Sequence, residues 1–361
     1  MKILRATVLA LMLLTIIPAW AEPVPDELTN ALDADAEQLL DGLEGEFSDH
    51  DTLLEGLSLL WATAKETFLD FLRGNVKNLV LMMGAVLLCS VTSELHSAAE
   101  PGKTFSVHMA GPLAITALSV GSLQSLIGLG TQTLERLDLF AKTLLPTLSA
   151  AVAAGGGVVS AGMGQVAAVF FANVLLSLIR GVLLPLMYCY IAVAMADAAL
   201  PEHDLKRIRT GIAKVVTWAL AGLLLAFTGF LKLTGSVGAA ADSTAVHLTR
   251  SAISTAVPVV GGIISEASET VASGASLLKS AIGVFGTLGI FATCLIPFVQ
   301  LAVQFLLYKL TAFLASAVGS TPMVELIDAL GTAFGLILAM VGAGAILLLI
   351  AVISSVSVVV T

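Results

Sequence analysis

The side chains best suited to nucleophilic or metal chemistry are thinly spread in this chain. Five histidines (His50, His96, His108, His203, His247) and three cysteines (Cys89, Cys189, Cys294) occur, and no pair has the spacing of a metal site. Each cysteine lies in an apolar stretch, where a buried reduced thiol acts as a small hydrophobe. Phosphate-loop, H-E-x-x-H and G-x-S-x-G patterns are absent. The residues point away from an enzyme, and no catalytic residue, cofactor or metal site is expected. Polar groups set inside apolar runs are better candidates, because an ionisable residue at membrane depth is expensive and marks function by default. They are Gln165 and Asn173 in one segment, Arg180 between two segments, Gln300 and Gln304 one turn apart on a helix face, and Lys309 in FLLYKLTAF. Hydrogen bonding between helices accounts for the amides as readily as a substrate path does.

A second kind of candidate is backbone rather than side chain. The stretch PVVGGIISEA places Pro258, Gly261 and Gly262 before Ser265 and Glu266, and GGVVSAG echoes it with Gly156, Gly157 and Ser160. Pro146 and Pro185 are 39 residues apart, and so are Pro258 and Pro297. The pairing suggests a weak internal repeat, with units 137–232 and 250–353, although the glycine and proline offsets differ and chance similarity in an Ala/Gly/Val-rich chain explains part of it. Gly/Pro-interrupted segments in matching halves point to broken helices lining a polar cavity. The competing reading is an ordinary loop beside the membrane, favoured by the charged residues around it. On the first reading these eight residues form a hinge or line a pore.

The elements that must position these groups are transmembrane helices. The chain has 361 residues, 57% hydrophobic and 12% charged, where a soluble domain carries roughly a quarter charged. Mean hydropathy is +0.99. The fold class is all-α, a polytopic helical membrane protein with about six to eight spans of roughly 20 apolar residues each. Spans are expected at 77–95, 107–129, 158–179, 181–199, 212–232, 281–297, 299–318 and 329–353, with the stretch ending at Gly157 either a further span or half-inserted.

The first 21 residues, with Lys2, Arg5, an apolar run and Ala19 and Ala21, read as a cleaved signal peptide. Residues 22–75 then hold fourteen acidic residues against Lys65 and Arg73, a net of minus 12 in a chain of net minus 9. They read as amphipathic helices outside the membrane, on Leu28, Leu32, Leu39, Leu40 and then Leu57, Leu60, Trp61, Phe68. These helices meet a membrane surface, a partner or the protein's own membrane domain, 76–361. In PEHDLKRIRTGIAK, Lys206, Arg207, Arg209 and Lys214 cluster, and positive loops stay cytoplasmic. Counting from an extracytoplasmic residue 22, this requires the stretch ending at Gly157 to cross, and puts 235–280 outside. Basic residues gather only in this topological cluster, so nucleic acid is not an expected partner.

The sequence 250–289, RSAISTAVPVVGGIISEASETVASGASLLKSAIGVFGTLG, resembles the stage III sporulation protein AE family of endospore-forming bacteria. P-V-V-G-G-x-x-S-[DE]-A followed by L-L-K and G-x-x-G carries the resemblance, which extends to LLYKL at 306–310 and LLPTLSAAVAAGGGVVSAG at 144–162. It implies a membrane component of the channel or secretion-like complex that links mother cell and forespore and is required for forespore development. The implied place is the mother-cell outer forespore membrane, with the N-terminal region extracytoplasmic. Implied partners are the other proteins of the stage III sporulation AA–AH complex, a forespore-side partner and membrane lipid; self-association stays open. The family carries over no ligand residues. A self-contained secondary transporter and a non-conducting scaffold are the alternatives.

Overall fold

The computed structural model describes residues 25–32, 34–40, 50–99, 105–154, 158–199, 205–256 and 261–356. The signal peptide, Gly156, Gly157 and Pro258 lie outside the described residues. Every element among the described residues is helical: α1 Asp26–Thr29, α2 Ala34–Leu40, α3 His50–Ala99, α4 Phe105–Ala154, α5 Val158–Leu178, α6 Leu184–Ala199, α7 Lys206–Ala256, α8 Gly261–Ala315 and α9 Thr321–Val356. A π-helical turn, Ile179–Leu183, joins α5 to α6.

The helices are longer and fewer than a count of apolar windows gives. The stretches 107–129 and 134–154 belong to the single helix α4, and 281–297 and 299–315 to the single helix α8. Arg180 and Gly181, expected to separate two spans, are absorbed in the π turn, which widens the helix by one residue without ending it. Prolines 112, 146 and 297 sit inside helices, as they can where neighbouring helices re-satisfy the freed carbonyls. Six helical stretches are long and apolar enough to cross a membrane: Leu54–Thr92, Ala110–Ala154, Gly162–Ala199, Lys206–Leu233, Ala281–Ala315 and Thr321–Val356. Helix α3, 50 residues long, would measure about 75 Å, more than twice the hydrocarbon core. It runs without a break through residue 75, where the sequence suggests a boundary.

Helix α9, the most apolar of the six, is the centre of the bundle and packs against α4, α5, α6, α7 and α8. Its start is fixed by Ser320, whose carbonyl accepts from the Met323 and Val324 N–H groups at 3.1 and 3.2 Å. Pro322 occupies the first turn, where a missing N–H costs nothing. Between lipid-soluble helices apolar burial is no driving force, so close approach at small residues matters more. Accordingly, Gly286 of α8 faces Leu144 of α4, and Gly289 faces Phe140 of α4 and Leu32 of the N-terminal region.

The acidic N-terminal region uses its four-residue spacing for the same purpose. Leu28, Leu32, Ala36 and Leu40 are buried against α4 and α8, while Glu27, Asp35 and Glu37 face outward. These two short helices pack on the protein's own membrane domain.

One end of the bundle gathers the loop before α7, the α8–α9 turn and the late part of α3. The Leu205 N–H donates to Asp197 Oδ1 at 3.1 Å, and the Ser90 hydroxyl donates to the Val318 carbonyl at 2.6 Å. Arg209, only 8% exposed, lies 3.9 Å from Asp197 and 3.7 Å from Glu325. The opposite end carries the last turn of α9, where Val356 meets Gly283 and Ser355 lies beside Gly164.

Candidate functional site

The two glycine motifs both fall where a long helix starts. Ser160 lies in the first turn of α5, Gly261 and Gly262 open α8, and Ser265 and Glu266 follow within its first two turns. The backbone at 261–267 is regular helix.

The polar candidates separate into ties and a cleft. Lys309 of α8 donates to Asp328 Oδ1 at 2.7 Å and to Thr332 Oγ1 at 2.9 Å on α9, so it clips two helices together. Arg180 donates from the π turn to Glu135 of α4 at 2.8 Å, both side chains half exposed. Gln165 is half-buried and Asn173 exposed on α5, apart from the others. Of the cysteines only Cys294 is buried; Cys189 is exposed on α6 and Cys89 half-buried. Among the described residues no cluster of three or more His, Cys, Asp or Glu is placed to hold a metal ion.

Gln300 and Gln304 line a cleft of about 700 Å³ between α3, α4 and α8. Helix α4 contributes Gly121, Ser125, Gly128 and Gln132, which succeed one another at helical spacing on one face, with Ser122 and Gln124 at its margin. Phe71 and Asn75 come from α3. Five amide side chains from three helices therefore converge, each offering a donor and an acceptor, and no charged side chain lines the space. Gln304 is 2% exposed, and its Oε1 has no hydrogen-bond partner among the described residues. A buried carbonyl left unpaired costs roughly 1–3 kcal/mol, so the fold leaves one acceptor behind the cleft wall without a donor. Gln300 and Gln304 are visible in the sequence as a pair on one face. Asn75, Gln124 and Gln132 carry no such signal alone; only the stripe of small residues and amides in GSLQSLIGLGTQ hints at them.

The depth of the cleft decides what it faces. Gly130 of α4 packs on Ile337 of α9, and Leu134 packs on Gly344, so the α4 residues around Gln132 stand level with the apolar run 329–353. Continuing the exposed face of α4 past Gln132 brings Glu135 and Lys142, the latter paired with Asp138 at 2.7 Å. On α3, beside Phe71 and Asn75, the exposed residues Asp70, Arg73 and Lys77 flank the cleft. Charges set against lipid at that depth would cost roughly 3 kcal/mol or more each. The α7 side offers Trp218, Leu225 and Leu233 to its surroundings instead. Helix α3 shows Val80, Leu81 and Leu88 to its surroundings as well, so the surface suited to water or protein is the cleft with its charged rim on α3 and α4.

Comparison with known proteins identifies a family. The family model described as Stage III sporulation protein AE matches residues 51–359. The Stage III sporulation protein AE of Bacillus subtilis (strain 168) is 23% identical over 216 residues, covering 60% of this chain and 54% of that protein. The matched part of the chain thus spans about half the length of this curated relative. No solved structure matches.

Proposed function

Because the chain belongs to the stage III sporulation protein AE family, we propose that it is the multi-span membrane component of the sporulation complex linking mother cell and forespore. It acts without catalysis and contributes its α3–α4 flank to a conduit for small molecules. The observation that carries this reading is the amide cleft flanked by exposed charges at the depth of the α9 apolar run. Such a flank is unfavourable against lipid and favourable against a water-filled path or a partner.

Its place is the mother-cell outer forespore membrane, with the other proteins of the stage III sporulation AA–AH complex and a forespore-side protein as partners. The basic cluster Lys206, Arg207, Arg209 and Lys214 faces the cytoplasm on this reading. Three crossings, α3, α4 and the joined α5–α6, then leave residues 25–40 on the extracytoplasmic side. On this reading three crossings, fewer than the apolar windows suggest, keep the N-terminal region and the basic cluster on opposite sides.

Reconstitution of the chain with its complex into liposomes tests the conduit. Solute flux across vesicles containing the full complex is the expected outcome, and tightly sealed vesicles would overturn it. Sealed vesicles combined with loss of complex assembly on deleting residues 22–75 would install the non-conducting scaffold instead. The mid-depth cleft also supports a self-contained secondary transporter, whose binding sites lie near the bilayer midplane. That reading requires uptake by the chain alone that collapses with the ion gradient; gradient-independent flux removes it.

A further inference from the structure

We propose that the cleft between α3, α4 and α8 binds an uncharged, polyhydroxylated solute, with the Gln304 amide turning its Oε1 to accept a hydrogen bond from one of the solute's hydroxyls. As a statement about what travels, this rests on the conduit reading; as a binding site, it stands on the cleft itself. The lining is the first argument. Amides from Gln124, Gln132, Gln300 and Gln304 supply donors and acceptors without a formal charge among them, beside Asn75, whose amide already donates to the Phe71 carbonyl and accepts from Asn78. A charged solute would leave the charged rim, shed hydration and meet no counter-charge among the lining residues, which is costly in a partly desolvated space. Filters that select ions use rings of charged side chains or converging carbonyls, and this lining mixes donors with acceptors. A polyol matches such a lining, since each hydroxyl both donates and accepts.

The second argument is the Gln304 amide on the cleft wall, whose Oε1 is covered and unpaired as the side chain stands, so that turning it toward a solute hydroxyl relieves the deficit. That oxygen lacks a donor, and a solute hydroxyl is one. The apolar remainder fits as well: Phe71, Leu126 and Leu129 offer surface for the C–H faces of a polyol. At about 700 Å³ the space lies in the range of small-molecule sites.

Sorbitol, gluconate and N-methylglucamine share a six-carbon hydroxylated chain and differ in charge, so they form the probe series. In vesicles bearing the full complex, sorbitol should pass about tenfold faster than either charged probe, and Gln304→Leu should reduce its flux about tenfold, the effect of one hydrogen bond to a buried acceptor. Gln304→Leu should also raise the thermal midpoint, because it removes the unpaired carbonyl; a purely structural Gln304 would leave flux unchanged. Saturation-transfer NMR on the full chain in detergent gives a readout independent of transport, with transfer to sorbitol, none to gluconate, and loss in Gln304→Leu. Equal flux of all three probes, or equal transfer to sorbitol and gluconate, overturns the solute class and leaves the conduit intact. Sorbitol transfer that Gln304→Leu abolishes, without flux of any probe, keeps the site and removes the conduit.

Discussion

Arg209 and Lys206 show how differently two neighbouring cations work. Both reach Glu325, but Arg209 is 8% exposed and held between Asp197 and Glu325, with its guanidinium donating to the Glu325 carbonyl at 3.3 Å. Lys206, at 2.7 Å from Glu325, keeps 56% of its side chain exposed. Replacing Arg209 by Met leaves Asp197 nearly buried without its cation. The expected cost is about 2 kcal/mol, below the roughly 3–5 kcal/mol of a fully buried pair, because Glu325 is a third exposed. Lys206→Met should cost about 0.5 kcal/mol or less, as exposed ion pairs do. Thermal unfolding of the two variants in the same detergent checks the ranking; equal losses would mean that Arg209 is not the tie between α6, α7 and α9. Gln304 is the converse case, a polar side chain whose fold contribution is unfavourable and whose removal should stabilise.

At the scale of the element, α8 is defined by how close its neighbours come. A Cβ at Gly289 would stand 2.6 Å from the Phe140 ring and 3.1 Å from Leu32, and both side chains are buried. Gly289→Ala should therefore destabilise by about 1–3 kcal/mol, the range for overpacking. It should also loosen α1 and α2, detectable as faster proteolysis within residues 25–40. Gly128→Ala meets no atom within 4 Å and should be neutral in stability, since only the cleft lies beside it; a loss as large as at Gly289 would contradict the packing described. The G-x-x-G pattern at Gly283 and Gly286 was legible as a motif, and its reason is now physical: α8 presses on α4 and on the end of α9. Helix identity was legible throughout, because apolar runs of this length admit little else in a membrane. Helix continuity was not. A window of about 20 apolar residues registers a span, but whether the chain turns back after it depends on packing. Arg180 and Gly181 looked like a boundary and proved to be a π turn tied to Glu135. The cleft was half legible: Gln300 and Gln304 share one face, yet their counterparts on α3 and α4 are brought in by tertiary structure alone.

For the whole molecule, the two flanks differ in what they can face. Trp218, Leu225 and Leu233 of α7 and Val80, Leu81 and Leu88 of α3 are outward and apolar, as a lipid contact requires, whereas the cleft and its rim between α3 and α4 carry amides and both signs of charge level with the apolar run of α9. Substitutions should divide accordingly. Leu225→Gln on the lipid flank, 73% exposed, should lower the amount of protein inserted in the membrane. Leu139→Gln, 62% exposed on the α4 stripe between Glu135 and Lys142, should leave insertion unchanged, because that stripe is already polar. Membrane-fraction yield of the two variants checks this, and equal losses would return the α4 flank to lipid. The most direct measurement of the central claim is the water accessibility of the cleft. Single cysteines at Gln124, Gln132 and Gln300, in a chain whose three native cysteines are replaced, are exposed to a membrane-impermeant thiol reagent in the assembled complex, with a cysteine at Leu225 as the lipid-facing control. The account predicts rapid labelling at the three cleft positions and none at 225; cleft positions as silent as 225 would contradict it.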